Sequence, residues 1–87
     1  MKITPLRFLL HSKSVPDAEI LQETGKSRYS LRRWRRGESF PERQAAEALI
    51  ALFARYELEL PDGQPYRLDF NGCYEKSLEV PDDADFG

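Results

Sequence analysis

Residues 17–36 read DAEILQETGKSRYSLRRWRR, and this stretch decides the fold. Its only glycine, Gly25, stands where a residue in the left-handed conformation would end a helix. The segment before that glycine has the apolar spacing of a helix, and its inward-facing candidates are Ala18, Ile20 and Leu21. The sequence therefore predicts a supporting helix over residues 17–25.

A second helix is predicted over residues 27–36, directly after the turn. Ser27 can cap its N-terminus with the side-chain oxygen, and Gly37 can close its C-terminus. Leu31 and Trp34 lie three positions apart, so both face the same side of the helix. With these two side chains directed into the core, the arginines are left on the remaining surface of the helix.

Two further helices are expected to flank this pair. Thr4-Pro5 predicts the start of a first helix that runs through about Ser12, because Thr caps helices and Pro suits the first helical position. The spacing of Ser39 and Glu42 is that of a capping box, and it predicts a fourth helix that ends near Leu58. This helix has the most regular apolar pattern of the chain, formed by Ala45, Ala46, Ala48, Leu49, Leu52, Phe53 and Tyr56.

The C-terminal part of the chain changes in character after Pro61. Apolar and polar residues alternate over residues 66–70, and Asn71-Gly72 is a strong turn signal. We therefore predict strands over residues 66–70 and 74–80 that form a β-hairpin around Asn71-Gly72, with an irregular acidic tail as the alternative.

These elements together predict a mainly α fold. It is expected to be a four-helix domain that contains a helix-turn-helix, followed by a C-terminal β-hairpin and an acidic tail. The expected divisions are residues 1–60 for the helical domain, residues 61–80 for the hairpin, and residues 81–87 for a flexible tail.

The net charge of −2 conceals an uneven distribution of charges. Residues 1–36 contain nine Lys and Arg against three acidic residues, whereas residues 37–87 contain four against twelve. Such asymmetry indicates a nucleic-acid face on one half of the molecule.

Other classes of site find little support in the composition. The single Cys73 cannot form an internal disulfide, and the lone His11 belongs to no catalytic or zinc-binding set. We therefore expect no enzyme, no cofactor, no metal and no small-molecule ligand. No apolar stretch is long enough to span a membrane, and a cytoplasmic location is expected.

The stretch over residues 17–36 resembles the helix-turn-helix of small bacterial and phage regulators, either Cro- and repressor-like proteins or excisionases. The matching residues are Ile20 before the turn, Gly25 in it, and Leu31 and Trp34 after it. The fifth position of the motif usually has a small residue such as Ala, whereas this chain has Leu21. We expect this larger side chain to crowd the contact between the two helices.

The resemblance implies that residues 27–36 form a recognition helix that enters the major groove of DNA. Arginine suits base reading because its planar guanidinium can bond O6 and N7 of guanine together. The residues expected to read bases are Arg28, Tyr29, Arg32 and Arg33. Those expected to hold phosphates are Lys26, Ser27, Arg35 and Arg36, and Ser30 completes the predicted DNA-binding surface.

The leading functional hypothesis is that the protein binds double-stranded DNA in a sequence-specific manner. It is then expected to act as a small transcriptional regulator, such as a phage or prophage repressor. A homodimer is expected through helix 4 or the C-terminal hairpin, because one small module buries little surface on DNA. One alternative is an excisionase, a recombination directionality factor that bends DNA. Another is a protein-interaction module that uses the acidic C-terminal half.

Overall fold

The computed structural model describes residues 1–82 of the chain, which contain five helices and four short strands. The helices are α1 (Pro5–Ser12), α2 (Asp17–Thr24), α3 (Arg28–Arg36), α4 (Arg43–Phe53) and α5 (Phe70–Tyr74). The strands are β1 (Lys2–Ile3), β2 (Leu58–Glu59), β3 (Pro65–Tyr66) and β4 (Leu78–Glu79). They form two antiparallel pairs, β1 with β4 and β2 with β3. The predicted mainly α fold is confirmed.

The first helix begins where local chemistry predicts. Thr4 Oγ1 accepts a hydrogen bond from the backbone N–H of Arg7 at 3.1 Å, and Pro5 occupies the first turn. At the other end, Lys13 adopts a left-handed conformation with a φ of 56° and donates its backbone N–H to the Leu10 carbonyl. Both ends of α1 are therefore satisfied by residues within one turn of it.

The helix-turn-helix has the predicted bounds, with residues 25–27 joining α2 to α3. Gly25 adopts a φ of 68° and donates its backbone N–H to the Leu21 carbonyl at 2.9 Å. Thr24 Oγ1 donates to the Ile20 carbonyl at 2.7 Å and accepts from the backbone N–H of Lys26 at 3.3 Å. These local bonds fix the turn that separates the two helices.

The core confirms most of the predicted inward positions of this motif. Ile20, Leu31 and Trp34 are all buried in one cluster with residues of α1 and α4. Leu21 is partly buried and packs against the margin of that cluster. Ala18 is exposed, so its predicted inward position was wrong.

The fourth helix is shorter at both ends than the sequence predicts. It begins at Arg43, and its N-cap Glu42 makes no side-chain capping bond, so the predicted Ser39–Glu42 capping box is wrong. The carboxylate of Glu42 pairs with Lys26 instead. The helix ends at Phe53, not near Leu58, because Leu58 is taken into β2 and buried there.

The predicted hairpin around Asn71-Gly72 is also wrong. Those two residues lie inside α5, whose N-cap Asp69 accepts a hydrogen bond from the backbone N–H of Gly72 at 2.8 Å. The side-chain cap of Asp69 therefore favours a helical turn over the hairpin turn that Asn-Gly otherwise predicts. The hairpin that does form pairs β2 with β3, and its loop includes Gly63 with a φ of 83°.

The remaining strand, β4, pairs with β1 and so joins the two ends of the described chain. In β4, Leu78 pairs with Ile3 of β1, and the backbone N–H of Val80 donates to the Met1 carbonyl at 2.8 Å. Leu68 and Cys73 meanwhile join the main core, so residues 61–80 pack into the same core as the helices. Of the predicted flexible tail, residues 83–87 lie outside the described residues.

Candidate nucleic-acid interface

The outer side of α3 has a continuous stripe of cationic and aromatic side chains. The helix buries Leu31 and Trp34, which have relative exposures of 2% and 6%. Because a helix turns by about 100° per residue, Tyr29, Arg33 and Arg36 lie on the opposite side at spacings of four and three residues. Arg32 flanks the same stripe and is exposed. The buried pair therefore determines which arginines face outward.

Two residues of this stripe contact each other. Tyr29 is 66% exposed, more than any other large hydrophobic residue within residues 1–82. The guanidinium carbon of Arg33 lies 5.7 Å from the centroid of the Tyr29 ring. A cation over an aromatic face is attracted to it, so each side chain restricts the other's movement.

Arg28 and Arg32 are the cations of α3 with the fewest contacts to the rest of the protein within residues 1–82. Both are exposed, and within residues 1–82 neither makes an ion pair or a side-chain hydrogen bond. Arg28 lies in the first turn, to one side of the stripe, and Arg32 lies in the middle of the helix. Their guanidinium groups are therefore open to an external acceptor such as a base edge or a phosphate.

Arg35 makes its contacts within the protein, whereas the sequence predicts that it holds a phosphate. Its Nη2 donates to Asp17 Oδ1 at 2.7 Å, and its Nε donates to the Leu10 carbonyl at 2.9 Å. The carbonyl of Arg35 itself accepts from Arg7 Nε at 3.2 Å. These bonds join α3 to the end of α1 and the start of α2, so Arg35 orients the helix and does not face outward with Arg32 and Arg33.

Lys26 lies in the turn before α3, and Arg36 is the last residue of α3. Each of these two cations pairs with a carboxylate from the segment after α3. Lys26 Nζ contacts Glu42 Oε1, and Arg36 Nη1 lies 3.9 Å from Glu38 Oε1. The side chains of Glu42 and Glu38 are 56% and 49% exposed. Since such exposed pairs are weak, DNA phosphates can compete for Lys26 and Arg36.

The two serines of the predicted site, Ser27 and Ser30, form hydrogen bonds with each other at the N-terminus of α3. Ser27 Oγ accepts from the backbone N–H of Ser30 at 3.2 Å, which is the predicted N-cap. The Ser27 hydroxyl also lies 3.4 Å from Ser30 Oγ. Ser27 therefore satisfies one free N–H group of the helix, and the other N–H groups of the first turn remain at the surface.

Sequence reasoning missed the three acidic residues that shape this surface. Asp17 is eighteen positions from Arg35 in the chain, and no local pattern connects the two. Glu42 was assigned to a capping box, although Lys26 is its partner. Only the Arg36–Glu38 pair, two residues apart in sequence, could have been suspected from the printed chain.

Residues 1–82 contain no group of three or more His, Cys, Asp and Glu side chains that could hold a metal ion. No helix there is long and apolar enough to cross a membrane. The basic stripe of α3 is therefore the strongest candidate site in the described chain.

The chain was compared with protein-family models, with curated proteins and with solved structures. None of the three comparisons finds a match to this chain.

Proposed function

We propose that this protein binds double-stranded DNA in a sequence-specific manner and acts as a small transcriptional regulator. The observation that carries the proposal is the outer surface of α3, where Tyr29, Arg32 and Arg33 face solvent opposite the buried Leu31 and Trp34. In a helix-turn-helix protein the second helix enters the major groove, so this surface would meet the base edges. The helix is then the reading element and the rest of the fold is its support.

The way α3 is held supports base reading over a merely solvated charged helix. A reading helix must keep its side chains at fixed positions relative to the bases. Here Leu31 and Trp34 anchor the helix in the core, and Arg35 bonds it to both α1 and α2. The remaining arginines therefore project from a fixed backbone, and the guanidinium groups of Arg28 and Arg32 stay open to DNA.

The acidic hairpin favours a regulator over an excisionase. A wing that enters the minor groove should be cationic, since phosphates line that groove. The β2–β3 hairpin instead has Glu57, Glu59 and Asp62 in or beside it, all exposed. We therefore assign the DNA contact to α3 alone and leave no enzymatic step or cofactor in the proposal. A cytoplasmic location, where DNA is accessible in a bacterial cell, goes with it.

The first test selects bound duplexes from a randomised pool and then measures the affinity for the selected sequence. The variant Arg32→Ala with Arg33→Ala should weaken that affinity at least about 30-fold at about 0.15 M salt, because each base contact contributes about 1–3 kcal/mol. The matched control, Arg67→Ala with Lys76→Ala, removes the same charge from exposed positions in the C-terminal part of the chain. Equal loss in both variants, or none in the first, would refute base reading by α3.

Footprinting on the selected DNA separates the two DNA-binding roles. One or two symmetric protected sites support the regulator. A phased array of sites with bent DNA supports the excisionase. If neither a selected sequence nor duplex binding is found, the acidic protein-interaction module becomes the better hypothesis.

A further inference from the structure

A second surface of the protein combines exposed aromatic rings with one arginine. Three of the five large hydrophobic residues that are exposed in residues 1–82 occur together here: Phe40 at 45%, Phe70 at 41% and Tyr74 at 40%. Arg43, whose side chain is 84% exposed, lies among them. We call these four residues the aromatic patch. It is formed by the segment after α3, the first residue of α4, and α5.

The four side chains of the aromatic patch are ordered by contacts with each other. The rings of Phe40 and Tyr74 have centroids 6.5 Å apart, and the Arg43 guanidinium lies 6.0 Å from the centroid of the Phe70 ring. The Tyr74 hydroxyl donates to the Pro41 carbonyl at 2.7 Å. A groove lined by Arg43, Phe70 and Tyr74 opens between them. Aromatic residues and Arg are the types that dominate binding energy at protein interfaces.

The carboxylates beside the aromatic patch favour a protein partner over DNA. A carboxylate stands next to each of three patch members in the chain, namely Glu42 beside Arg43, Asp69 beside Phe70 and Glu75 beside Tyr74. Glu42 is neutralised by Lys26, whereas Asp69 and Glu75 form no ion pair within residues 1–82. Asp69 and Glu75 form the rim of the patch, where they oppose a phosphate and can pair with a cation of another protein chain.

We propose that the aromatic patch is the interface between two copies of this chain, related by a two-fold axis. In a two-fold contact the same surface is used by both partners, so it must be complementary to itself. The aromatic patch meets this requirement, because its central Arg43 has further N–H donors beyond the Nε that donates to Glu47, and its rim has exposed carboxylates. Each Arg43 then pairs with the rim of the other copy, while the aromatic rings cover each other.

The location of the aromatic patch suits this partner, in an argument that rests on the proposed function. Glu42, the neighbour of Arg43, contacts Lys26 in the turn before α3. The patch therefore adjoins the recognition helix, and a two-fold axis through it brings two copies of α3 near each other. Two recognition helices on one duplex give the specificity that a single small module lacks.

Sedimentation of the full chain, free and bound to the selected duplex, tests the interface. We expect the wild type to form a dimer. Phe70→Ser should raise its dissociation constant at least about 30-fold, or about 2 kcal/mol at 25 °C. Arg43 is about twice as exposed as Phe70, at 84% against 41%, so Arg43→Glu serves as a second variant with less effect on packing, and it should raise the dissociation constant comparably. Circular dichroism would verify that each variant is folded.

Tyr29→Ala is the matched aromatic control, since Tyr29 is exposed on α3 and outside the aromatic patch. Because Tyr29 belongs to the surface proposed to read DNA, this control is measured without duplex, and there it should leave the dimer unchanged. A wild type that is monomeric both free and on DNA would overturn the interface, as would patch variants that dimerise like the wild type. Patch variants that lose affinity for DNA while the wild type binds as a monomer would instead assign the patch to DNA, and would also overturn it.

The two proposals fail in different ways. A monomer that still binds the selected duplex through Arg32 and Arg33 refutes the interface and keeps the proposed function. A dimer that is broken by Phe70→Ser but binds no duplex keeps the interface and refutes the proposed function.

Discussion

The Arg35 guanidinium in the last turn of α3 donates from Nη2 to Asp17 Oδ1, in the first turn of α2, over 2.7 Å. The same guanidinium donates from Nε to the Leu10 carbonyl near the end of α1 over 2.9 Å. One side chain thus connects three helices at the edge of the core. Its side chain is 21% exposed and that of Asp17 is 28% exposed, so water screens this pair less than a surface pair.

Replacing this arginine should destabilise the fold. Arg35→Ala leaves Asp17 and the Leu10 carbonyl without their donor, and we expect it to lower the free energy of unfolding by about 2 kcal/mol. Urea unfolding measures this change. Arg32→Ala is the control on the same helix, because Arg32 is exposed and makes no such bonds; its effect should stay within about 0.5 kcal/mol. Equal stability of the two variants would contradict the structural role of Arg35.

The carboxylate of Glu42 should weaken DNA binding by holding Lys26. Glu42→Gln removes a negative charge beside the recognition helix and frees Lys26 for a phosphate. We expect higher affinity for duplexes of any sequence, and a plot of log affinity against log salt that is steeper by about 0.9, the value for one added phosphate contact. Glu57→Gln, an equal charge change at an exposed position after α4, should leave the slope unchanged. A slope unaffected by Glu42→Gln would contradict the proposal that Glu42 keeps Lys26 from a phosphate.

Gly72 is required by space and not by a left-handed conformation. A Cβ at this position would overlap Tyr66 Oη and lie 3.1 Å from Leu68 Cδ1. Gly72→Ala should therefore lower the free energy of unfolding by about 1–3 kcal/mol, as overpacking does. Thermal or urea unfolding would measure it.

A second substitution tests the cause of that loss. Tyr66→Phe removes the nearest atom, so Gly72→Ala should cost less stability in the Tyr66→Phe background than in the wild type. If the loss is the same in both backgrounds, the close approach to Tyr66 is not its cause.

Stability should fall in alkaline solution because two buried acids resist ionisation. Burial raises the pKa of the Cys73 thiol to about 11 from its usual 9.0, and raises that of the Tyr66 phenol to about 12 from 10.0. Above the unfolded pKa of each group the unfolded chain loses its proton first, and unfolding becomes easier. The free energy of unfolding should therefore change little between about pH 6 and pH 8 and decline above pH 9, first through Cys73 and then through Tyr66.

Cys73→Ala isolates the first of these groups. Between pH 9 and pH 10 its stability should decline less than that of the wild type, because the tyrosines with a raised pKa contribute equally to both proteins and only the wild type has the thiol. Because the folded thiol is buried and protonated, alkylation by iodoacetamide should also be slow until the chain is unfolded. Rapid alkylation of the folded protein, or parallel pH profiles for the two proteins, would contradict the burial of this thiol.

The sequence predicts the first three helices well because their ends are set by neighbouring residues. Thr4, Ser27 and Gly37 each satisfy a backbone group within one turn of the helix that they end. Gly25 does the same for α2. The buried side of α3 could likewise be predicted, since the spacing of two apolar residues on a helix specifies which of the other side chains face outward.

The sequence failed where a residue had two possible uses. Asn71-Gly72 favours a hairpin turn in isolation, but the Asp69 cap and the packing of Gly72 against Tyr66 make it helical. Glu42 has capping-box spacing, yet its carboxylate pairs with Lys26. Glu42 is thus decided by a contact with a distant residue, whereas Asn71-Gly72 is decided by the nearby Asp69 cap together with the contact to Tyr66.

By itself, the sequence determined the first three helices, the turn at Gly25 and the outward positions of Arg32 and Arg33, all of which depend on interactions within about one helical turn. Only the tertiary structure decided that Arg35 faces inward to Asp17, and that Leu78 pairs with Ile3 across the length of the chain. Such pairings depend on which distant segments the core brings together. Local spacing does not contain that information, because many partners are compatible with the same short pattern.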